Sequence, residues 1–186
     1  MTVVAAVKHE HGILMGGDTA SCGTGTYNLY ARGKVVRIND RLLIGSCGLA
    51  RLNTLLHYKF KAPPHARRLS DDAYVAGPLT DKLFALVKSE KHLSGTENDA
   101  MEGHLLVAYK HELYLLDGGF AVLQPTEPFA AIGSGEAHAL ASLHTTADLP
   151  MPPHERLTRA LRAAARYTST VYEPFTYEEI RTVTAR

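Results

Sequence analysis

The amino-acid sequence predicts an α+β fold: a four-layer αββα sandwich in which two β-sheets pack face to face between two layers of helices. Three observations favour this class. Short apolar segments typical of strands come in groups, helical segments come in two pairs, and the order along the chain is strands, helices, strands, helices, strand. The length of 186 residues fits a single domain that spans residues 1–186 and buries a substantial core.

The first two predicted strands form a hairpin. Residues 1–7, Met-Thr-Val-Val-Ala-Ala-Val, are apolar, and residues 12–18, Gly-Ile-Leu-Met-Gly-Gly-Asp, are an apolar segment that ends in a turn signal. A short connection over residues 9–12 allows the two strands to pair. The end of the second strand then lies beside the start of the first, so Asp18 is expected near Thr2.

The other predicted elements follow in the order that a four-layer sandwich requires. Strand signals cover 35–38, 41–45, 104–109, 112–116, 120–123, 129–132 and 177–183. Helical patterns cover 49–60, a stretch from Ser70 or Pro78 to Lys91, a stretch after Ser134 to about Thr146, and a stretch from Pro153 to about Thr168. Residues 94–102 are predicted to be a polar loop.

Thr2 is the candidate catalytic residue with the most specific requirement, which is a free N-terminus. We expect Met1 to be removed, which would leave Thr2 with both a hydroxyl and a free α-amine, a nucleophile and a base in one residue. An α-amine has a pKa of about 7.7–8.0, and a nearby lysine ammonium would lower it towards cell pH. A processed N-terminus without a role is the alternative interpretation of Thr2 alone.

Five motifs, in order and at compatible spacing, resemble β-type proteasome subunits, and most of all the HslV-like threonine peptidases. They are Thr2 to the Gly-Gly-Asp at 16–18, Ala-Arg-Gly-Lys-Val at 31–35 with one added glycine, Gly-Ser-Cys-Gly at 45–48, Ala-Ile-Gly-Ser-Gly at 131–135, and the last helix and strand around 160–164 and 175–180. The resemblance covers nearly the whole chain and implies the N-terminal nucleophile hydrolase fold.

The resemblance also implies a set of catalytic residues. Thr2 would be the nucleophile and its own amine the base. Lys34 would adjust the electrostatics of that amine, and Asp18 would keep Lys34 charged and oriented. The Gly48 N–H would stabilise the oxyanion, and Ser134 would hydrogen-bond near the Thr2 amine. Taken singly, Asp18 is also a common turn former, Lys34 a common strand-edge charge and Ser134 a common helix cap.

Further positions are implied for support and for specificity. Ser169 corresponds to a second supporting serine. Ser21, Ser46 and Ala50 would line the primary specificity pocket, and their small side chains predict a roomy pocket.

Arg166 departs from the pattern, because the family has an acidic residue before its last serine. Three outcomes are open: Arg166 turns away from the site, Glu136 or Glu173 compensates for it, or the enzyme is weak. Related proteins can also bind a cation through main-chain carbonyls at the positions of Ala165, Thr168 and Val171. Arg166 argues against a metal there.

Composition excludes several other classes. The net charge of +1 gives no electrostatic basis for nucleic-acid binding. The ten histidines lack the spacing of a zinc site, and Cys22 and Cys47 do not make a disulfide framework. No apolar run approaches the roughly 20 residues of a membrane helix, and no signal peptide is recognised, so a cytoplasmic location is expected.

The resemblance, together with Thr2, implies a threonine endopeptidase subunit that hydrolyses peptide bonds of unfolded proteins. The resemblance implies self-assembly into a homo-oligomeric double ring of six or seven subunits per ring. It implies no cofactor for peptide hydrolysis, and ATP only through a partner AAA+ unfoldase. Two alternatives stay open: a ring-forming scaffold subunit without activity, and a hydrolase of the same fold that acts on a small amide.

Overall fold

The computed structural model describes residues 2–22, 26–90 and 100–181. One of its sheets has four antiparallel strands. The sheet has the order β10-β1-β2-β11, formed by β1 (Val4–His9), β2 (Gly12–Asp18), β10 (Phe129–Ile132) and β11 (Phe175–Arg181). The predicted hairpin is present, with Val4 opposite Gly17.

The second sheet has five antiparallel strands in the order β5-β6-β7-β8-β9. They are β5 (Val35–Asn39), β6 (Leu42–Ser46), β7 (Leu105–Tyr109), β8 (Glu112–Leu116) and β9 (Val122–Leu123). A separate two-stranded ribbon, β3 (Ala20–Cys22) with β4 (Tyr27–Leu29), extends from the end of β2. The ribbon was not predicted, because its strands are three residues long and β4 is exposed throughout.

Helices cover the outer face of each sheet. The helices are α1 (Ala50–Tyr58), α2 (Asp71–Tyr74), α3 (Thr80–Lys88), α4 (Glu136–Thr145) and α5 (Pro153–Tyr167). Helices α2 and α3 are continuous through a π-helical turn, Val75–Leu79, which contains Pro78. Of the two predicted starts for this helix, Ser70 is the one observed: its side chain accepts a hydrogen bond from the Ala73 N–H.

Alternation along the strands explains the four layers. Side chains of successive strand residues point to opposite faces. On β1, Ala5 and Val7 pack against α4 and α5, whereas Val4 and Ala6 pack against the second sheet. On β6, Leu43 faces the space between the sheets. Three apolar cores thus separate four layers, and the predicted αββα sandwich is confirmed.

The ends of the predicted elements agree to within a few residues. The last strand begins at Phe175, two residues before its predicted start, and its predicted end at 182–183 lies outside the described residues. Most of the predicted polar loop at 94–102 also lies outside them. None of the helices within the described ranges has both the length and the apolar character that crossing a membrane requires.

Candidate active site

Thr2 lies at the open end of the hairpin, where the strand register brings Asp18 beside it. Thr2 is 3% exposed. The Val3 N–H donates to Asp18 Oδ1 at 2.9 Å, and the Asp18 N–H donates to the Val3 carbonyl at 3.2 Å. These reciprocal hydrogen bonds fix the chain on the C-terminal side of Thr2 against the end of β2.

Asp18 and Lys34 form a largely buried ion pair, and Lys34 lines the same cavity as Thr2. Lys34 Nζ lies 2.8 Å from Asp18 Oδ2, and the two side chains are 16% and 0% exposed. The Ala20 N–H donates to the same carboxylate oxygen at 3.2 Å. Burial raises the pKa of Asp18 above its usual value, and the Lys34 ammonium and the two N–H donors oppose that rise. The contact at 2.8 Å places the Asp18 carboxylate where it can orient Lys34.

Ser134 contacts the Thr2 backbone from the opposite side. The Thr2 nitrogen lies 3.0 Å from Ser134 Oγ, and the Gly135 N–H donates to the Thr2 carbonyl at 3.1 Å. Gly133 has a φ of +96° and lies so close to the Thr2 carbonyl that a Cβ there would collide with it. The Gly-Ser-Gly sequence is thus required for this close approach to Thr2.

The hydroxyl that contacts Ser134 belongs to Thr170 and not to Ser169. Thr170 Oγ1 lies 2.8 Å from Ser134 Oγ, whereas Ser169 is exposed and its carbonyl accepts from Tyr172. Ser169, the residue predicted to support the site, makes no such contact with Ser134 among the described residues, and Thr170 next to it does. Only Thr168, directly after α5, is extended, and Ser169 and Thr170 lie in the turn that follows it.

Gly48 lies in the turn between β6 and α1. Its φ of +101° and its contact with a main-chain carbonyl exclude a side chain. The turn is anchored to the strand β7 region, because the Cys47 N–H donates to the His104 carbonyl at 3.1 Å and the His104 N–H donates to Cys47 Sγ at 3.3 Å. The Gly48 backbone therefore has a fixed orientation at the cavity wall that Thr2 shares.

A cavity of about 550 Å³ opens at Thr2. The three predicted pocket residues, Ser21, Ser46 and Ala50, all line it, together with Gly48 and Lys34. Sequence reasoning missed a further group of lining residues, which are Tyr30, Arg32, Asn53, Thr54, His57 and Tyr58.

Four of the cavity residues follow one face of α1. Ala50, Asn53, Thr54 and His57 have the i, i+3, i+4, i+7 spacing of a single helical stripe, opposite the buried Leu52, Leu55 and Leu56. The sequence contained this signal, since a polar stripe directly after a glycine turn indicates a face that is turned towards a site.

Arg166 is exposed and is not among the residues that line the cavity at Thr2, which fits the first of the three outcomes considered. Its side chain is exposed near the C-terminal end of α5 and makes no hydrogen bond or ion pair with any residue within 2–22, 26–90 or 100–181. Glu173 pairs with Arg162 at 3.0 Å and does not compensate for Arg166. No cluster of histidine, cysteine or carboxylate side chains suited to a metal occurs in those ranges.

Cys47 is a buried packing residue in the apolar layer between the two sheets. Burial raises the pKa of its thiol, so the thiolate that nucleophilic attack requires is disfavoured. Thr2 is therefore the better candidate nucleophile in this cavity.

The comparisons with solved structures identify the fold. No protein-family model matches the chain. Thiobacillus denitrificans BPH is similar with a TM-score of 0.82 and 20% identity over 99% of this chain and 100% of that one. The complex of Thiobacillus denitrificans BPH with epoxomicin has a TM-score of 0.78 and 17% identity over 97% and 98%. Eukaryotic HslV from Trypanosoma brucei has a TM-score of 0.70 and 20% identity over 97% and 100%. The chain has the proteasome and HslV fold that the sequence motifs predicted.

Proposed function

We propose that this protein is the subunit of a threonine-type endopeptidase with Thr2 as its nucleophile. One observation supports this most: Ser134 contacts the Thr2 nitrogen, Asp18 accepts from the neighbouring Val3 N–H, and its ion-pair partner Lys34 lines the same cavity as Thr2. A structural role for the ion pair does not explain why a cavity opens at the same residue. Thiobacillus denitrificans BPH, which has a similar fold, has been solved in complex with epoxomicin, and this supports a peptidase over a scaffold.

The proposed reaction begins once the peptide bond before Thr2 has been cut. The Thr2 amine takes the hydroxyl proton as Oγ attacks the carbonyl carbon of a peptide bond. The Lys34 ammonium lowers the pKa of that amine through charge repulsion, so that the amine is neutral near pH 7. Ser134 Oγ, 3.0 Å from the nitrogen, holds the amine in position.

The Gly48 N–H is the proposed donor to the oxyanion that forms on the attacked carbonyl. The protonated amine then gives its proton to the leaving nitrogen, the C–N bond breaks, and an ester remains on Thr2 Oγ. In the second half, the amine takes a proton from water, hydroxide attacks the ester, and the carboxylic product leaves as Oγ regains its proton.

Assembly is the second part of the proposal. We expect a homo-oligomeric double ring of six or seven subunits per ring that encloses the Thr2 sites, with a cytoplasmic AAA+ unfoldase as the ATP-dependent partner. Enclosure would restrict hydrolysis to unfolded chains, because a folded domain would not enter the chamber. Mass photometry of the purified protein tests the ring. A monomer under all conditions would contradict this part and favour a hydrolase of small amides.

Degradation of an unfolded protein tests the chemistry. We expect the wild type to cleave casein, Thr2→Ser to retain measurable activity, and Thr2→Val to lose it. Serine keeps the hydroxyl, whereas valine has nearly the same shape without it. Equal cleavage by the wild type and Thr2→Val would exclude Thr2 as the nucleophile. A ring that cleaves nothing would favour the scaffold interpretation.

A further inference from the structure

The cavity at Thr2 has a positively charged wall. Arg32 and Lys34 both line it, and none of the described residues that line it is an aspartate or a glutamate. Lys34 already has a carboxylate partner, Asp18, at 2.8 Å. Arg32 forms no ion pair with a carboxylate within the described part of the chain, so its charge is the one that a bound substrate would meet.

An aromatic ring holds the Arg32 guanidinium. Its central carbon lies 4.9 Å from the centroid of the Tyr58 ring, and Tyr58 also lines the cavity. Such a cation–π contact positions a guanidinium while leaving its N–H donors available for a second partner. The guanidinium is thus both oriented and able to receive an anion.

The backbone next to Arg32 is fixed to helix α1. The Gly33 carbonyl lies 3.2 Å from Asn53 Nδ2 and 3.3 Å from His57 Nε2. Gly33 also packs so closely against Thr176 that a Cβ would collide with that side chain. These contacts come from two other elements, so the backbone directly after Arg32 is held in place although Arg32 itself is exposed.

We infer that the cavity selects substrates with an acidic side chain, aspartate or glutamate, immediately before the bond that is cleaved. This inference rests on the proposed peptidase function. A carboxylate would replace the water around the Arg32 guanidinium with a charge-assisted pair, which planar guanidinium groups form well. A large apolar side chain would remove that water without replacing it, and an unpaired buried charge is costly.

A matched peptide series tests the inference. Four tetrapeptide aminocoumarin amides would differ only in the residue before the scissile bond: glutamate, glutamine, leucine or lysine. Glutamate and glutamine have the same shape, so their ratio of kcat/KM isolates the charge. We expect glutamate to be preferred over glutamine by roughly 10- to 150-fold, the factor that one hydrogen bond to a charged group supplies.

Three variants complete the design. Arg32→Gln is expected to bring the glutamate-to-glutamine ratio to about one while cleavage of the leucine peptide persists. Arg32→Glu is expected to shift the preference to lysine. Arg68→Gln, which changes an exposed arginine outside the cavity, is the matched control and is expected to keep the wild-type ratio.

The outcomes separate this inference from the proposed function. Cleavage of leucine or glutamine peptides as fast as glutamate peptides, or an unchanged ratio in Arg32→Gln, would overturn the inference and leave the peptidase in place. No cleavage of any peptide, together with no Thr2 adduct from an epoxyketone probe, would overturn both. A melting curve by circular dichroism establishes that each variant is folded.

Discussion

Removal of the Lys34 ammonium by Lys34→Met is the most informative perturbation of the buried ion pair. The Asp18 carboxylate is 0% exposed and accepts three hydrogen bonds, from Lys34 Nζ at 2.8 Å, the Val3 N–H at 2.9 Å and the Ala20 N–H at 3.2 Å. The variant leaves a buried carboxylate with two neutral donors. We therefore expect a loss of both stability and activity.

The size of the stability loss follows from the burial. Removing one partner of a buried ion pair costs about 3–5 kcal/mol, because the other charge is left uncompensated. Asp18→Asn should cost less, about 1–3 kcal/mol, since the Lys34 side chain is 16% exposed and its ammonium can regain water. The double variant should lose less than the sum of the two by about 1.5–3 kcal/mol, the value of one hydrogen bond between charged groups.

The pH dependence has a defined sign. Burial already raises the folded-state pKa of Asp18 above 3.8, so the folded state binds more protons than the unfolded state just above that pH. The free energy of unfolding therefore falls as pH rises from 3.8 to the folded-state pKa. Without Lys34 the folded-state pKa of Asp18 rises further, so the free energy of unfolding continues to fall to a higher pH. The total fall grows by about 1.36 kcal/mol for each unit by which that pKa rises.

Urea unfolding at fixed protein concentration, followed by far-ultraviolet circular dichroism because the chain has no tryptophan, measures these free energies. Lys82→Met is the matched control, since Lys82 is exposed on α3. If Lys34→Met were as stable as the wild type near pH 7, with an unchanged pH dependence, the buried pair would not have the energetic role described.

Three further changes test other parts of the site. Gly48→Ala should destabilise the fold by about 1–3 kcal/mol and reduce hydrolysis, because its φ of +101° and a nearby carbonyl exclude a side chain; wild-type stability in urea would contradict this. Thr170→Val should lower kcat roughly three- to tenfold with KM unchanged, since it removes the hydroxyl 2.8 Å from Ser134 Oγ, whereas Ser169→Ala should change neither constant. Equal effects of those two variants would be inconsistent with the geometry. Arg166→Asp should change kcat/KM by less than about twofold and stability by less than about 0.5 kcal/mol, because Arg166 is exposed; a large gain in activity would show that Arg166 does act on the site.

Most of the fold could be predicted from the sequence, because its strands and helices carry strong periodic signals. Strand β2 was predicted at its observed limits, since glycines and Asp18 mark its ends and its centre is apolar. The β3–β4 ribbon has no such signal: its strands are short, and β4 is exposed. The sequence also left open how a helix passes Pro78. The structure accommodates that proline with a π-helical turn, in which Thr80 Oγ1 donates to the Val75 carbonyl at 2.7 Å.

The positions of site residues could be predicted where sequence motifs fix the backbone. They could be predicted less well where the packing of distant segments determines which side chains reach the site. Asp18, Lys34 and Ser134 meet around Thr2 because strand register and glycine turns bring them together. The choice of Thr170 over Ser169 depends on how the chain leaves α5, which spacing does not determine. The cavity wall on α1 and at Arg32 depends on the packing of distant segments.

The most direct test of the central claim is covalent labelling of Thr2, read by intact mass and peptide mapping. A peptide epoxyketone has two electrophilic centres, which suits a residue with both a hydroxyl and an α-amine. We expect a mass that lacks Met1, one adduct per chain mapped to Thr2, and no adduct in Thr2→Ala. A protein that has a free Thr2 α-amine and yet remains unlabelled, or that is labelled at another residue, would contradict Thr2 as the nucleophile.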